Sequence, residues 1–267
     1  TGGCTIVVLA NKDKSTMESS IKDNVDTLFG SDVVCRTGGI YNSYDLDKVS
    51  AFTAKSIIIL AENDNSDPDS IRAVLALINK AKHMPGHITV ELINRNHIDM
   101  INYIGKNKVE SVVAKDTSGR ILAQASRQPG LGLIYESLLD FNGPSFYFID
   151  SSNFKGKSFG GIYHYFSNAM VCGVYESNFK RLVFCQDSNY ILKTNDKILI
   201  LANDLSSLKP SLVKVTLIKP GKINTLPVER NKNIYIFGWG ENLKDYIFEI
   251  TNQNNRVRSI NIISLIS

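Results

Sequence analysis

The first 116 residues alternate short β-branched runs with helical patterns, and this alternation constrains the fold more than any other feature of the sequence. Each run is short, continuous and rich in Val or Ile, which is typical of a buried parallel strand. Helical patterns separate the runs, so their order predicts an α/β lobe with a mostly parallel, Rossmann-like sheet and helices on both faces. The predicted strands are Thr5 to Ala10, Asp32 to Arg36, Ser56 to Ala61, His87 to Leu92 and Glu110 to Ala114.

The pattern changes after residue 116, and it predicts five segments. Helical periodicity is present before and after Gln128-Pro129-Gly130, and Pro129 and Gly130 break it between the two predicted helices. Short strands then follow at a spacing that fits a small α+β domain. We expect a Rossmann-like lobe (1–116), a helix-turn-helix crossover (117–143), a small α+β lobe (144–204), a polar linker (205–231) and the start of a second Rossmann-like unit (232–267).

The charge and hydropathy of the sequence argue against binding to nucleic acid and against insertion into a membrane. The formal charge of +4 is mild, and Lys and Arg are spread along the chain, so we expect no nucleic-acid partner. The longest apolar runs, such as Ile57 to Ala61, fall far short of the roughly 20 residues that cross a bilayer. We therefore expect this stretch of chain not to enter the membrane, and we interpret its opening at Thr1 as the start of a processed or excised fragment.

The richest chemical feature is an acidic loop, Glu62 to Asp69, which directly follows the third predicted strand. In α/β folds ligand sites gather at the carboxyl ends of the strands. Closely spaced carboxylate oxygens are ligands that Ca²⁺ prefers, although the spacing is not that of an EF-hand. The candidate metal ligands are Glu62, Asp64, Asp67 and Asp69, with Glu91 at the end of the next strand.

The same loop also has a simpler interpretation as a solvated turn followed by a helix start. Asp67 is then the N-cap, Pro68 occupies the first helical position, and Asp69 interacts favourably with the helix dipole. The sequence leaves both interpretations open.

Other candidate sites are weaker. The first strand lacks a following Gly-rich turn, Asn11 stands where a ribose-binding acid is expected, and Gly238-Trp239-Gly240 is only an approximate dinucleotide motif. His83 and His87 have helical metal spacing, but Pro85 lies between them. His97 and His164 are interpreted as isolated surface or packing residues. No nucleophile, base and carboxylate motif is recognisable, so we assign no catalytic and no nucleotide-binding residue and expect no enzyme.

Several segments, taken together in order and spacing, resemble the cytosolic region of the CASTOR and POLLUX ion channels. The most specific as a set are VCRTG at Val34, IILAENDN at Ile58 and RQPGL at Arg127. The others are TIVVLANKD at Thr5, DKVSAFTA at Asp47, GHITVEL at Gly86, ESVVAKD at Glu110 with Gly119-Arg120, and FGW at Phe237.

The resemblance implies an RCK (regulator of K⁺ conductance) architecture in which residues 1–116 form an N-lobe lacking its first strand and residues 232–267 begin a second, truncated copy. It also implies a calcium-regulated gating module on the cytosolic or nucleoplasmic face of a membrane, as part of an integral membrane channel. The implied partners are other copies in a tetrameric gating ring and the pore domain of the same polypeptide. The alternatives are an NAD-dependent oxidoreductase and a nucleotide-sensing subunit of a potassium transporter.

Overall fold

A computed structural model describes residues 3–80, 86–105, 108–178, 181–210, 232–240, 243–252 and 257–264. His83, Pro85 and most of the predicted linker, residues 211–231, lie outside the described residues. The strands are β1 (Thr5–Ala10), β2 (Asp32–Thr37), β3 (Ser56–Ile59), β4 (His87–Leu92), β5 (Val109–Val113), β6 (Ser145–Asp150), β7 (Ala169–Glu176), β8 (Arg181–Phe184), β9 (Lys197–Ala202), β10 (Lys232–Phe237) and β11 (Val257–Ile263). The α-helices are α1 (Lys14–Asn24), α2 (Ser43–Lys48), α3 (Asp67–Lys80), α4 (Ile98–Gly105), α5 (Ala114–Arg127), α6 (Leu131–Leu139), α7 (Phe159–Ile162) and α8 (Leu243–Asn252).

The chain divides into two compact units, and the first division falls inside α5. Unit 1 contains Thr1–Ala123, Ile234–Asn255 and Ile260–Ser267. Unit 2 contains Gln124–Asn233 and Arg256–Ser259. The five segment boundaries expected from the sequence are a finer division and stay a prediction.

Unit 1 has the parallel α/β organisation that the sequence predicts, which confirms the fold class. Strand β1 pairs in parallel with β2, and β4 pairs in parallel with both β3 and β5. Among the described strands, however, β1 and β3 are not hydrogen-bonded to each other, so β1-β2 and β3-β4-β5 are separate parallel sheets where one continuous sheet was expected. Strand periodicity identifies the strands, but backbone hydrogen bonding between neighbours decides where a sheet is continuous.

The core of unit 1 forms where α3 packs on β4. Side chains alternate between the two faces of a strand, and Ile88, Val90 and Leu92 of β4 are all at most 1% exposed. Helix α3 presents a helical stripe to the same cluster, including Val74 and Leu77. Leu9 of β1 also packs against this cluster, so both parallel sheets contribute to one core.

Unit 2 is built on an antiparallel sheet in the order β6-β9-β7-β8, which confirms the small α+β lobe as a structural type. Strand β9 lies inside the sheet, and its Ile198 and Ile200 are fully buried with Phe159 and Ile162 of α7. The pairing of β7 with β9 shifts register between Val171 and Gly173, which marks a β-bulge.

The last described elements are a strand, a helix and a strand, as predicted for the start of another α/β unit. Strands β10 and β11 form a two-stranded sheet. Helix α8 contacts α5 within unit 1, where the Arg120 guanidinium lies 3.0 Å from the Glu249 carboxylate.

In the part of the chain that the structure describes, the helices fall short of the combination of length and apolarity required to cross a bilayer.

The core predicts a large difference between two leucines of α3. Leu77 is 1% exposed and Leu75 is 37% exposed. Leu77→Ala removes buried methyl groups and leaves a cavity, so we expect it to lower the free energy of unfolding by about 2–5 kcal/mol. Leu75→Ala serves as the control on the same helix and should cost much less. Urea unfolding of both variants measures the difference, and equal losses would contradict this description of the core.

Candidate functional site

The carboxyl ends of β3, β4 and β5 lie at one edge of the parallel sheet, because all three strands run in the same direction. The loops that leave this edge carry a group of charged and hydrogen-bonded side chains. We call this group the carboxyl-edge network. Its members are Asp64, Asp67, Glu91, Arg95, His97, Lys115 and Asp116.

Asp67 is the most buried member, with 4% of its surface exposed. Instead of capping α3, its carboxylate accepts hydrogen bonds from the loop that follows β4. The donors are the backbone N–H of Ile93 at 2.7 Å, the backbone N–H of Asn94 at 2.9 Å and Nδ1 of His97 at 2.6 Å. These bonds tie the start of α3 to the end of the neighbouring strand.

The same bonds control the ionisation of Asp67. Burial by itself raises the pKa of this carboxyl, but the hydrogen bonds from Ile93, His97 and Asn94 together outweigh it, so the pKa lies below its ordinary value. The carboxylate is therefore held in its charged form at neutral pH.

Glu91 and the acidic loop are joined by backbone contacts. Oε2 of Glu91 accepts a hydrogen bond from the backbone N–H of Ala61 at 3.0 Å, across the β3 and β4 ends. Inside the loop, the Ser66 hydroxyl accepts from the N–H of Asn63 at 2.7 Å. The Asn63 side chain in turn accepts from the N–H of Asn65 at 2.9 Å. The loop is thus a hydrogen-bonded turn.

Two ion pairs connect these loops to the first turn of α5. The Lys115 ammonium lies 3.1 Å from the Asp64 carboxylate, and the Arg95 guanidinium lies 2.7 Å from the Asp116 carboxylate. Asp64 is 73% exposed, whereas Asp116 is only 19% exposed. The acidic loop and the loop after β4 are therefore both linked to one helical turn.

The predicted calcium ligands do not form a ready-made metal site. Asp67 bonds to the loop after β4, Asp64 pairs with Lys115, Asp69 pairs with Arg72 at 3.1 Å, and Glu91 bonds to a backbone N–H. Glu62 is exposed. Within residues 3–80, 86–105 and the other described ranges, no three His, Cys, Asp or Glu side chains are grouped so that they could hold a metal ion. Calcium binding by Glu62, Asp64, Asp67, Asp69 and Glu91 therefore stays a prediction.

Sequence reasoning missed the cationic half of the network, namely Arg95, His97 and Lys115. The interpretation of His97 as an isolated residue is wrong, because its ring pairs with Asp67. The signal was present: these residues directly follow β4 and β5, and the carboxyl ends of parallel strands meet at one edge. Applying that rule to cations as well as to carboxylates would have found them.

The remaining candidates fall into ordinary structural roles. Nε2 of His87 lies 3.4 Å from the Glu110 carboxylate on the adjacent strand. Gly238 has φ of 104°, a conformation that glycine adopts readily, at the turn after β10. Glu241 and Asn242, which directly follow the approximate dinucleotide motif Gly238-Trp239-Gly240, lie outside the described residues.

The break between the two crossover helices is at the predicted elbow. Helix α5 ends at Arg127, Gly130 has φ of 91° in the left-handed region, and α6 begins at Leu131. Beyond the elbow, α6 and the residues after it expose large apolar side chains. We call this surface the α6 apolar face. It comprises Leu133 (71% exposed), Ile134 (53%), Leu139 (68%) and Phe141 (102%).

Comparison with known proteins finds that the chain is similar to ion channels. Residues 115–217 match the family described as Castor and Pollux, part of voltage-gated ion channel. The chain is 34% identical over 250 residues to the probable ion channel POLLUX of Arabidopsis thaliana, covering 92% of this chain and 30% of that protein. It is 32% identical over 252 residues to the ion channel CASTOR of Lotus japonicus, covering 92% of this chain and 29% of that protein. A structural neighbour is the RCK domain of GsuK, at 16% identity and a TM-score of 0.41, covering 98% of this chain and 55% of that one.

The chain is therefore an α/β protein related to ion channels. Its relatives are the CASTOR and POLLUX channels, which confirms the resemblance predicted from the sequence. The chain spans about 30% of the length of the relatives it matches.

The buried Asp67 carboxylate predicts a specific acid sensitivity. Because its pKa is lowered in the folded state, its contribution to stability is complete above the unfolded pKa of about 3.9. That contribution is lost as the pH falls through the lower, folded pKa. Asp67→Asn turns amide hydrogens toward backbone donors, so we expect it to cost about 1–3 kcal/mol at pH 7 and to flatten the loss of stability in acid.

Chemical unfolding at several pH values between neutral and strongly acidic measures this effect. Asp69→Asn is the matched control, because Asp69 is exposed and pairs only within its own helix turn with Arg72 among its described contacts. A neutral-pH cost for Asp67→Asn no larger than that for Asp69→Asn would show that the buried hydrogen bonds do not stabilise the edge.

Proposed function

We propose that this chain is a non-enzymatic, calcium-sensing gating module of a cation channel, coupling ion binding to pore opening. In this proposal it has an RCK architecture and lies on the cytosolic or nucleoplasmic face of a membrane, as part of an integral membrane channel. Its relationship to the CASTOR and POLLUX channels supports the channel role. The observation that carries the sensing role is the Asp64–Lys115 ion pair, which links the acidic loop to the first turn of α5.

Binding of a cation at the acidic loop would act on that link. Asp64 is exposed and neutralised by Lys115, so a divalent cation that recruits the Asp64 carboxylate competes with the ammonium group. Exposed ion pairs contribute only about 0–1 kcal/mol, so this pair is easily exchanged. Loss of the pair changes the contacts of the first turn of α5, and a ligand shifts a conformational equilibrium only by such differential contacts.

The proposed ligands have different roles in this scheme. Glu62 and Asp64 are exposed, so their carboxylates are the ones available to turn toward an ion. Asp67 is fixed by three hydrogen bonds and holds the edge in place. Glu91 and Asp69 already bond to Ala61 and Arg72, and they join the ion only if they exchange those partners.

Calorimetric titration of the metal-free chain with calcium tests the proposal. We expect saturable heat from the wild-type chain and its loss in Glu62→Gln/Asp64→Asn, a double variant that leaves the buried Asp67 intact. Because both substituted residues are exposed, the variant should remain folded. Heat that persists in this variant would place the calcium site elsewhere, and absence of heat from the wild-type chain would remove calcium sensing from the proposal.

A matched control separates a specific site from a general effect of negative charge. Glu18→Gln/Asp23→Asn also neutralises two exposed carboxylates of unit 1, both on α1 and outside the carboxyl-edge network. We expect this control to keep the wild-type calcium heat. An equal loss in both double variants would mean that calcium responds to net charge alone.

Self-association is the second part of the proposal, because the predicted gating ring requires contacts between copies. Leu133, Leu139 and Phe141 of the α6 apolar face are all strongly exposed, and exposed apolar surface is available for association between copies. The crossover position of α6 supports a second copy of this chain as the occupant of that face. The tetrameric ring and the pore domain as partner are part of the same proposal.

We expect Leu133→Ser/Leu139→Ser to weaken self-association. Each buried leucine contributes about 1.5–3 kcal/mol, so the double variant should raise the dissociation constant roughly a hundredfold or more. Sedimentation velocity over a concentration series measures it. Leu205→Ser is the control, since Leu205 is 69% exposed but lies after β9, outside the α6 apolar face. If the wild-type chain and the double variant associate to the same extent, the face is not the interface.

Two alternative functions, an NAD-dependent oxidoreductase and a nucleotide-sensing transporter subunit, have less support than the channel module. The relatives that match over 92% of the chain are named ion channels, which disfavours an NAD-dependent oxidoreductase. A fluorescence titration with NADH separates the two, because a dinucleotide-binding oxidoreductase changes the NADH signal and the proposed module does not. The same titration with other nucleotides tests a nucleotide-sensing transporter subunit.

A further inference from the structure

Two of the four cysteines face each other on the antiparallel sheet of unit 2. The pairing of β7 with β8 ends at Gly173 opposite Phe184, and continuing this register by one residue places Cys172 opposite Cys185. The backbone N–H of Cys185 donates to the carbonyl of Cys172 at 2.8 Å, so the ladder continues through this pair. Opposed residues joined by such a backbone hydrogen bond have Cα atoms about 5.5 Å apart, within the range of Cα separations that a disulfide spans.

The backbone at both cysteines departs from regular strand geometry. Cys172 is the extra residue of the bulge at which the pairing of β7 with β9 shifts register. Cys185 has φ of 49°, in the left-handed region that residues other than glycine rarely adopt. Such conformations persist only where the surrounding structure imposes them, and they concentrate at functional positions.

The two thiols differ in access to solvent. Cys185 is exposed and Cys172 is partly buried. The Cys172 thiol donates to the carbonyl of Met170 at 3.3 Å. Burial raises the pKa of the Cys172 thiol, and the neighbouring Cys185 adds to that rise against a hydrogen bond from the Leu201 backbone. Cys185 is therefore the thiol that a small oxidant reaches first.

We propose that Cys172 and Cys185 form a reversible redox modification site that closes to an intramolecular disulfide under a low-molecular-weight disulfide such as glutathione disulfide. The Cys185 thiolate attacks one sulfur of the oxidant, which breaks the oxidant's S–S bond, releases one thiolate and leaves a mixed disulfide on Cys185. The Cys172 thiol then loses its proton and attacks the Cys185 sulfur. The second thiolate leaves, so two protein thiols are oxidised and one oxidant disulfide is reduced to two thiols.

Closure of this disulfide would link the end of β8 covalently to the bulge of β7. The other two cysteines serve as internal comparisons. Cys35 is fully buried in β2, and Cys4 is exposed but lies in unit 1. This inference does not depend on calcium sensing or on the α6 apolar face.

Equilibration of the native chain with mixtures of reduced and oxidised glutathione tests the site, followed by acid quenching, alkylation of free thiols and peptide mapping by mass spectrometry. We expect a linked Cys172–Cys185 peptide pair, with Cys4 and Cys35 recovered as free thiols or, for Cys4, as a glutathione adduct. In Cys185→Ser the Cys172 thiol should remain free, and Cys4→Ser should give the wild-type linkage.

A parallel equilibration in urea shows whether the native register is responsible. The yield of the linked pair at a given glutathione ratio should be higher in the folded chain than in the unfolded chain. Equal yields, a stable glutathione adduct on Cys185 beside a free Cys172, or linkage of Cys185 to Cys4 would each overturn the proposal. Circular dichroism of Cys172→Ser and Cys185→Ser establishes that both variants fold.

Discussion

The carboxyl-edge network of unit 1 depends on the hydrogen bonds that the buried Asp67 carboxylate accepts. A charged group that is almost fully buried is tolerated only when hydrogen bonds replace its lost hydration. The Ile93 and Asn94 N–H groups and the His97 ring supply them, and all three lie in the loop after β4. The start of α3 and the end of β4 are therefore fixed relative to each other, and this gives the exposed acidic loop a rigid base.

From that base, two ion pairs of unequal exposure reach the first turn of α5. Arg95 and Asp116 form the more shielded pair, and Lys115 and Asp64 form the more open one. Solvent screens the open pair more strongly, so it is the weaker contact and the one that a dissolved cation can replace. The proposed conversion of ion binding into a change at a helix end rests on this difference in exposure between the two pairs.

The buried carboxylates of unit 2 are also stabilised by hydrogen bonds that replace their lost hydration. Glu176 accepts hydrogen bonds from Arg181 and Gln186, and Asp196 accepts from the Tyr190 hydroxyl and the Lys193 N–H. Burial and the hydrogen bond to Asp196 raise the pKa of Tyr190, so the phenol remains a donor. The buried carboxylates of unit 2 therefore have hydrogen-bond partners within the unit. Cys172 and Cys185 lie apart from these bonds, at the irregular end of β7 and β8.

The sequence by itself determined the order and type of elements in unit 1, the break at Gln128-Pro129-Gly130 and the relationship to the CASTOR and POLLUX channels. Strand periodicity, helix punctuation and motif order are local properties, so they can be read without coordinates. Tertiary structure alone decided that β1 and β3 belong to separate sheets, that Asp67 bonds to His97 instead of capping α3, and that the backbone N–H of Cys185 bonds to the carbonyl of Cys172. Each of these depends on which backbone segments, distant in sequence, are neighbours in the fold. The cysteine pair also depends on a β-bulge that the residue pattern does not predict. For the same reason the sequence showed the carboxylates of the acidic loop, but only the fold showed that Asp64 pairs with Lys115 and Asp67 with His97.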